Sequence, residues 1–159
     1  MSRSSTWTNS DGLVIGFGIH TTDGERPGET ARDGIEKELI VDFSYNNLPG
    51  ATASDGGKAF IPAGSYLVSA TLIVGTVWTS ETDLDIGTET LAGVAIDADG
   101  IDVTLDAAAL TAGAVIACDG ADIGTVIDAS NDAYIVATSA AATAGTARLV
   151  VRYLQPYSA

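Results

Sequence analysis

Apolar and polar residues alternate with a period of two along much of this 159-residue chain, which predicts β-strands rather than helices. In Leu13–His20 the odd-numbered residues are Leu, Ile, Phe and Ile, and in Glu38–Phe43 they are Leu, Val and Phe. The longest such stretch is Ser65–Val77, and Arg148–Leu154 is the last. Shorter strands are predicted at Asp83–Gly87, Gly93–Asp97, Ala114–Cys118, Ile123–Asp128 and Ala133–Thr138.

Polar, glycine-rich segments separate these strands. Thr21–Gly34, which contains Pro27, is predicted to be a long exposed loop, and Leu48–Lys58 is predicted to be a second loop. Ile61–Gly64 combines a proline, which fixes φ, with a glycine, which accepts a positive φ. We therefore predict a turn there, from which the longest strand starts.

One segment departs from the alternation. Asp102 is of a type that often caps the N-terminus of a helix, alanines follow at 107–109, and Gly113 stands where such a helix would end. This pattern predicts one short helix, near residues 102–111.

Eight or nine short strands separated by turns predict an all-β protein. We expect a single-domain β-sandwich, of the jelly-roll type, with a closed barrel as the alternative. Residues 1–12 are polar and are predicted to form an N-terminal arm, and residues 13–159 the sandwich domain.

The charge narrows the choice of partners. The chain has twenty-one acidic and seven basic residues, which gives a net charge of −14. A nucleic-acid-binding protein needs a basic stripe, and an anionic membrane surface would repel this chain. Its apolar runs are too short for a membrane span, and the N-terminus lacks the apolar segment of a secretory signal. We expect neither a nucleic-acid nor a membrane partner.

The basic residues are also unevenly placed. Five lie in the first 58 residues and two near the end, whereas the stretch from Ala59 to Ala147 has twelve acidic residues and no Lys or Arg. Two interpretations remain open: a solvated acidic surface that keeps the protein soluble, or a polarised molecule whose terminal segments dock on a partner.

The sequence offers no catalytic constellation. The single histidine, His20, follows a strand at the edge of a loop, and no Gly-x-Ser-x-Gly motif is present. The single cysteine, Cys118, ends an apolar strand and is interpreted as a buried small residue. A glycosidase would need two paired carboxylates, and spacing alone nominates no pair. We predict a protein that is not an enzyme and has no cofactor.

Two acidic segments are candidate metal sites. Asp97–Asp102 resembles a calcium loop, but Ile101 and Asp102 stand where the EF-hand requires an oxygen ligand and a glycine, so we interpret the segment as a turn. Asp83, Asp85 and Glu89 form the second cluster, and we place it on a solvated strand face. The prediction is that no metal is bound.

Three stretches of the chain resemble small virion structural proteins of tailed bacteriophages. They are WTNSDGLVIGFG (Trp7–Gly18), IPAGSYLVSATLIV (Ile61–Val74) and TAGTARLVVRYL (Thr143–Leu154). The segment NDAYIVATSAAATAGTARLVV (Asn131–Val151) is also similar to the ends of head decoration proteins, also called cement proteins. The resemblance spans most of the chain, as a pattern of strands and turns rather than as a diagnostic motif.

The resemblance implies a role on the outer surface of the phage head. Decoration proteins commonly sit there as trimers and clamp neighbouring major capsid proteins. We therefore expect the major capsid protein and two further copies of this chain as partners. Trp and Arg are frequent interface anchors. The candidate contact residues are Arg3, Trp7, Arg26, Arg32, Arg148 and Arg152.

The sequence leaves an alternative open for the role of Trp7 and another for the function of the protein. Trp7 would serve equally well to pack the arm onto its own domain. A head- or tail-fibre component, or a lectin-like module that binds host-surface glycans, would show an exposed aromatic platform at Trp78 or at the end of the chain, Tyr153–Tyr157.

Overall fold

The computed structural model describes residues 5–8, 14–17, 36–52 and 59–155 and contains ten strands in these ranges. The strands are β1 (Ser5–Thr8), β2 (Val14–Phe17), β3 (Glu36–Ser44), β4 (Phe60–Ile61), β5 (Tyr66–Thr79), β6 (Leu84–Glu89), β7 (Ala95–Leu105), β8 (Val115–Ala117), β9 (Ala133–Ser139) and β10 (Ala144–Leu154).

Eight of these strands form two antiparallel four-stranded sheets. The first sheet has the order β3-β10-β5-β8 and the second the order β4-β9-β6-β7. The pairing is nested: β3 with β10, β4 with β9, β5 with β8 and β6 with β7. A long hairpin of four such pairs, rolled up so that alternate pairs fall into opposite sheets, is a jelly roll. The predicted all-β sandwich of jelly-roll type is confirmed.

The core lies between the two sheets. It is built from the inward-facing residues of the alternating strands: Leu72 and Leu149 of the first sheet and Ile86 and Ile135 of the second are all completely buried. Trp78 packs edge-on against Phe43, with ring centroids 5.9 Å apart. These side chains join the sheets into one hydrophobic cluster.

Gly145 is required beside this aromatic pair. Its φ is +145°, a conformation that other residues rarely adopt, and a Cβ atom at this position would overlap the indole ring of Trp78. The start of β10 therefore passes closely over the Trp78 ring because residue 145 has no side chain.

The predicted helix near residues 102–111 is wrong. Residues 95–105 form β7, in which Asp102 pairs with Ile86 of β6 and Thr104 has a φ of +58°, which a right-handed helix excludes. The alanines at 107–109 form only a turn, in which the Asp106 carboxylate accepts hydrogen bonds from the N–H groups of Ala108 and Ala109, both at 3.0 Å. Sheet pairing at one end and a short turn at the other leave no room for the helix.

Asp97–Asp102 is not the predicted turn either. The segment lies inside β7 as an irregular bulge, because the pairing with β6 passes from Thr88↔Asp97 directly to Ile86↔Asp102. The bulge presses its backbone against Gly87, where a Cβ atom would overlap the carbonyl oxygens of Asp97 and Ala98.

The other strands predicted within the described residues are confirmed with shifted ends, with one exception, and residues 53–58 of the predicted loop Leu48–Lys58 lie outside the described residues. The turn at Ile61–Gly64 is present: the N–H of Ser65 donates to the carbonyl of Pro62 at 3.1 Å, and Gly64 has a φ of +74°. Ile123–Asp128 is not a strand. The chain there makes a single bridge, between Val126 and Tyr66, because turns and a positive φ at Gly124 interrupt the pairing.

Near the N-terminus, β1 and β2 pair antiparallel, with Trp7 opposite Ile15. β2 confirms part of the strand predicted at Leu13–His20, and β1 lies within the predicted arm. The loop predicted at Thr21–Gly34 and His20 lie outside the described residues.

Candidate interaction face

The side of the first sheet that points away from the core is the candidate site, and we call it the outer face. On β10, the odd-numbered residues from Ala147 to Tyr153 are buried. Arg148 and Arg152, which alternate with them, therefore project outwards. Two of the six candidate contact residues therefore lie on the outer face, one of them two positions before Val150 and the other two positions after it.

Both arginines are held by acidic residues of the neighbouring strand β3. Arg148 makes a two-pronged ion pair with Asp42, with Nε–Oδ1 at 2.6 Å and Nη2–Oδ2 at 2.8 Å. The hydrogen bond from Arg148 holds the pKa of Asp42 below its usual value. Arg152 pairs with Glu36. These side chains remain substantially exposed, so the pairs add little stability but fix where the guanidinium groups point.

An apolar strip, formed by Ile40, Val150, Ile73 and Val115, crosses the same face beside the ion pairs. Val150 of β10 lies opposite Ile40 of β3 on one side and Thr71 of β5 on the other. In the next row Ile73 of β5 lies between Arg148 and Val115 of β8. Ile73 is 37% exposed and Val115 is 67% exposed. Each of the four strands of the first sheet thus contributes one aliphatic side chain to this strip of the outer face.

An open groove lies at one end of this strip. Its walls include Asp42, Arg148 and Thr146, and Ile73 contributes apolar surface. Gly75 also lines the groove, and a Cβ atom there would lie 2.8 Å from the Thr146 hydroxyl. The absent side chain opens the groove beside the ion pair.

Charge is distributed very unequally around the described part of the molecule. The strands of the first sheet carry three bases (Lys37, Arg148 and Arg152) and three acids (Glu36, Glu38 and Asp42), with no charged residue on β5 or β8. The other described residues include twelve acids and no base. Counted over both faces, the strands of the first sheet are therefore balanced in charge, and their outer face carries two bases and three acids because Lys37 falls on the core side of β3. The described residues of the second sheet and the loops carry acids only.

The structure does not bring the other candidates to this face. Arg3, Arg26 and Arg32 lie outside the described residues, and for Trp7 the structure gives only the backbone pairing in β1. The aromatic platform considered for glycan binding is wrong for Trp78 and Tyr153, which are 1% and 7% exposed. Tyr157 lies outside the described residues.

The sequence analysis missed the apolar strip, although a signal for it was present. Three strands contain an uninterrupted apolar triplet, Leu39–Val41, Leu72–Val74 and Leu149–Val151. In each triplet the outer two residues face the core, so the middle one must face outwards: Ile40, Ile73 or Val150. An aliphatic residue at the position where alternation calls for a polar one indicates that the outward side of the strand is apolar there.

The cysteine and the carboxylates form no reactive centre in the part of the chain that the structure describes. Cys118 is buried as predicted, and burial, with the Asp102 carboxylate beside it, raises the pKa of its thiol. Burial first, and then the charges of Asp97 and Asp99, raise the pKa of Asp122. Among the described residues no group of three or more His, Cys, Asp or Glu side chains is placed to hold a metal ion. That part of the chain also has no helix long and apolar enough to cross a membrane.

Fold and outer face together define a jelly-roll domain with one sheet face that is partly apolar and carries both basic and acidic residues. A chain of the structure described as "Cyanophage Pam1 capsid asymmetric unit" is similar to this one, with a TM-score of 0.50 and 18% sequence identity. The match covers 94% of this chain and 98% of that chain, so the two are of similar length and share their fold over almost all of it. No protein-family model and no curated protein sequence matches the chain.

Proposed function

We propose that this chain is a structural protein of a phage virion, and specifically a decoration protein that binds the outer surface of the head. The observation that carries the proposal is the fold likeness to a chain of a cyanophage capsid, which extends over 94% of this chain. It agrees with the resemblance of three sequence stretches to small virion proteins of tailed phages.

The distribution of charge supports a docking role. Among the described residues, the twelve acids outside the first sheet are accompanied by no base, whereas the outer face carries two arginines; the first kind of surface is suited to solvent and the second to contact. In the proposed complex three copies sit together and clamp neighbouring major capsid proteins. Several modest contacts made at once then give a stable attachment.

The proposed contacts with the capsid use the N-terminal segments, through Arg3, Trp7, Arg26 and Arg32. Arg148 and Arg152 are proposed to lie at contacts between subunits, because they share the outer face with the apolar strip. The boundary between an arm at residues 1–12 and a sandwich at 13–159 belongs to the same proposal.

Co-sedimentation with heads tests this function. Heads of the phage that encodes the chain, assembled without it, are mixed with the purified protein and pelleted. We expect saturable binding, and protein density on the outer surface of the heads by electron microscopy. A variant lacking residues 1–12 should keep its circular dichroism spectrum but lose binding. If the full chain fails to bind heads at micromolar concentration, the proposed function is wrong.

Equal binding by the truncated protein would instead move the capsid contact away from the arm. A matched control is Leu91→Ala, at an exposed position in the β6–β7 turn that belongs to none of the proposed contacts, and it should leave head binding intact.

A further inference from the structure

The outer face combines two properties that no other part of the described structure shares. It carries two basic residues, Arg148 and Arg152, and it exposes Ile73 and Val115 beside the half-buried Val150 and Ile40. Other exposed aliphatic residues, such as Leu91 and Val94 in the β6–β7 turn, lie on an element without any basic residue.

We propose that the outer face is the surface through which copies of this chain associate with one another. The inference rests on the proposed trimer, because it assigns the face at which the three copies meet. In a trimer with threefold symmetry, each subunit contacts the next through one part of its surface and the previous one through another part. If the outer faces of the three copies surround the axis, one half of each face can contact the other half of the neighbouring face.

Electrostatics selects a second copy as the occupant. Each chain has a net charge of −14, so two copies that approach through the second sheet or the loops bring two uncompensated acidic surfaces together. The outer face carries the bases Arg148 and Arg152 beside three acids of β3, so two copies repel each other less through it than through the described strands of the second sheet, which carry acids only. The association then depends on screening of the remaining long-range repulsion and should strengthen with salt.

The geometry of the face fits such a contact. The Arg148–Asp42 and Arg152–Glu36 pairs neutralise each other within one chain, so burying the face does not leave a guanidinium group without a carboxylate. The groove beside Ile73 offers an open, partly apolar recess for a side chain of the neighbouring copy. The strip and groove are rigid because β10 and β5 are central strands of the sheet.

Two double variants with the same added charge test the inference. In Ile73→Glu/Val115→Glu, two carboxylates are placed on the strip, at positions 37% and 67% exposed. In the control, Leu91→Glu/Val94→Glu, they are placed in the β6–β7 turn, at positions 61% and 62% exposed. The oligomeric state is measured by native mass spectrometry and by sedimentation velocity at micromolar concentration, in low and moderate salt.

We expect the wild-type chain and the control to form trimers, with tighter association in moderate salt, and the strip variant to be monomeric. If the strip variant does not fold, as judged by circular dichroism, Val115→Glu alone is used, because this position lies on a three-residue edge strand. That single change should weaken association at least tenfold. A strip variant that folds and remains trimeric would overturn the inference.

Head binding separates this inference from the proposed function. A wild-type protein that binds heads but stays monomeric on its own overturns the inference and leaves the decoration role standing. If the strip variant then also loses head binding, the occupant of the face is the capsid instead. A trimer that dissociates in the strip variant but never binds heads supports the face and refutes the decoration role.

Discussion

Glu81 lies in the loop between β5 and β6 and should be among the most sensitive positions for stability. Only 3% of this residue is exposed, yet it carries a carboxylate. Oε1 accepts hydrogen bonds from the N–H groups of Thr82 (3.0 Å), Asp83 (3.1 Å) and Ala140 (3.0 Å), and Oε2 accepts one from the hydroxyl of Ser139. The carboxylate therefore ties the β5–β6 loop to the turn between β9 and β10.

The expected cost of Glu81→Ala follows from these bonds. Hydrogen bonds to a charged acceptor contribute about 1.5–3 kcal/mol each, but neighbouring bonds are not additive, and some of the released N–H groups will reach water. We expect a loss of about 3 kcal/mol in the free energy of unfolding at pH 7, a size reached when a buried network is broken. Glu81→Gln keeps the shape and one accepting oxygen and should cost about half as much.

The loss should depend on pH in a defined direction. Burial alone raises the pKa of Glu81, but the hydrogen bonds from Ser139 and from the N–H groups of Asp83, Ala140 and Ala141 outweigh it, so that the pKa in the folded protein lies below 4.5. The stabilisation is therefore complete above the pKa of the unfolded chain and is lost as the pH falls through the lower pKa of the folded one.

Urea denaturation followed by circular dichroism, at pH 7 and at several values below 4.5, measures both effects. The gap between wild type and Glu81→Ala should be widest at pH 7 and should narrow in acid, with an unchanged dependence on urea concentration. If the free energy of unfolding of Glu81→Ala at pH 7 lies within about 0.5 kcal/mol of the wild-type value, the Glu81 carboxylate does not stabilise the contact between the two loops and the prediction is refuted.

Three further predictions concern positions outside the hydrogen-bond network of Glu81. Gly87→Ala should cost about 3 kcal/mol, because its Cβ would overlap the β7 bulge, and thermal unfolding measures the loss; a melting temperature unchanged from the wild type would contradict the close approach. Ser65→Ala should stabilise by about 1 kcal/mol in urea, because the buried hydroxyl has no hydrogen-bond partner among the described residues; destabilisation would indicate a partner. Asp122→Asn should raise the melting temperature at pH 7, because burial and then Asp97 and Asp99 raise the pKa of this carboxyl and so disfavour its charged form. The increase should disappear below pH 4, where the carboxyl is protonated, and an increase that persists in acid would have another cause.

Much of the fold could be predicted from the sequence, because alternation directly records which strand face is buried. β3, β5 and β10 follow the predicted pattern closely, and so do the outward positions of Arg148 and Arg152. The helix prediction failed because local helix signals at Asp102 and the alanines competed with tertiary pairing. The apolar residues Ile101, Val103 and Leu105, spaced two apart, already indicated the strand that pairing with β6 stabilises.

The candidate site was only partly predictable. The two arginines are visible in the sequence, but their acidic partners are not, since Asp42 and Arg148 lie 106 positions apart. The apolar strip depends on register: Ile73 meets Val115 only because β5 pairs with β8 in one particular alignment. Such neighbours are set by cross-strand alignment, which no single segment of the chain specifies.

The nested strand pairing also determines when this protein can fold. β10 is synthesised after all the other described strands, and it lies between β3 and β5 in the first sheet. Until it is available, β3 and β5 have no strand to join them, and their apolar triplets remain uncovered on both sides. Because β3 pairs with β10, as in the contact between Asp42 and Arg148 across 106 positions, the contact order is high, which places folding in about the millisecond-to-second range. The nascent chain must therefore stay soluble until residue 154 has left the ribosome, and its uniformly acidic middle, which opposes aggregation, is suited to that interval.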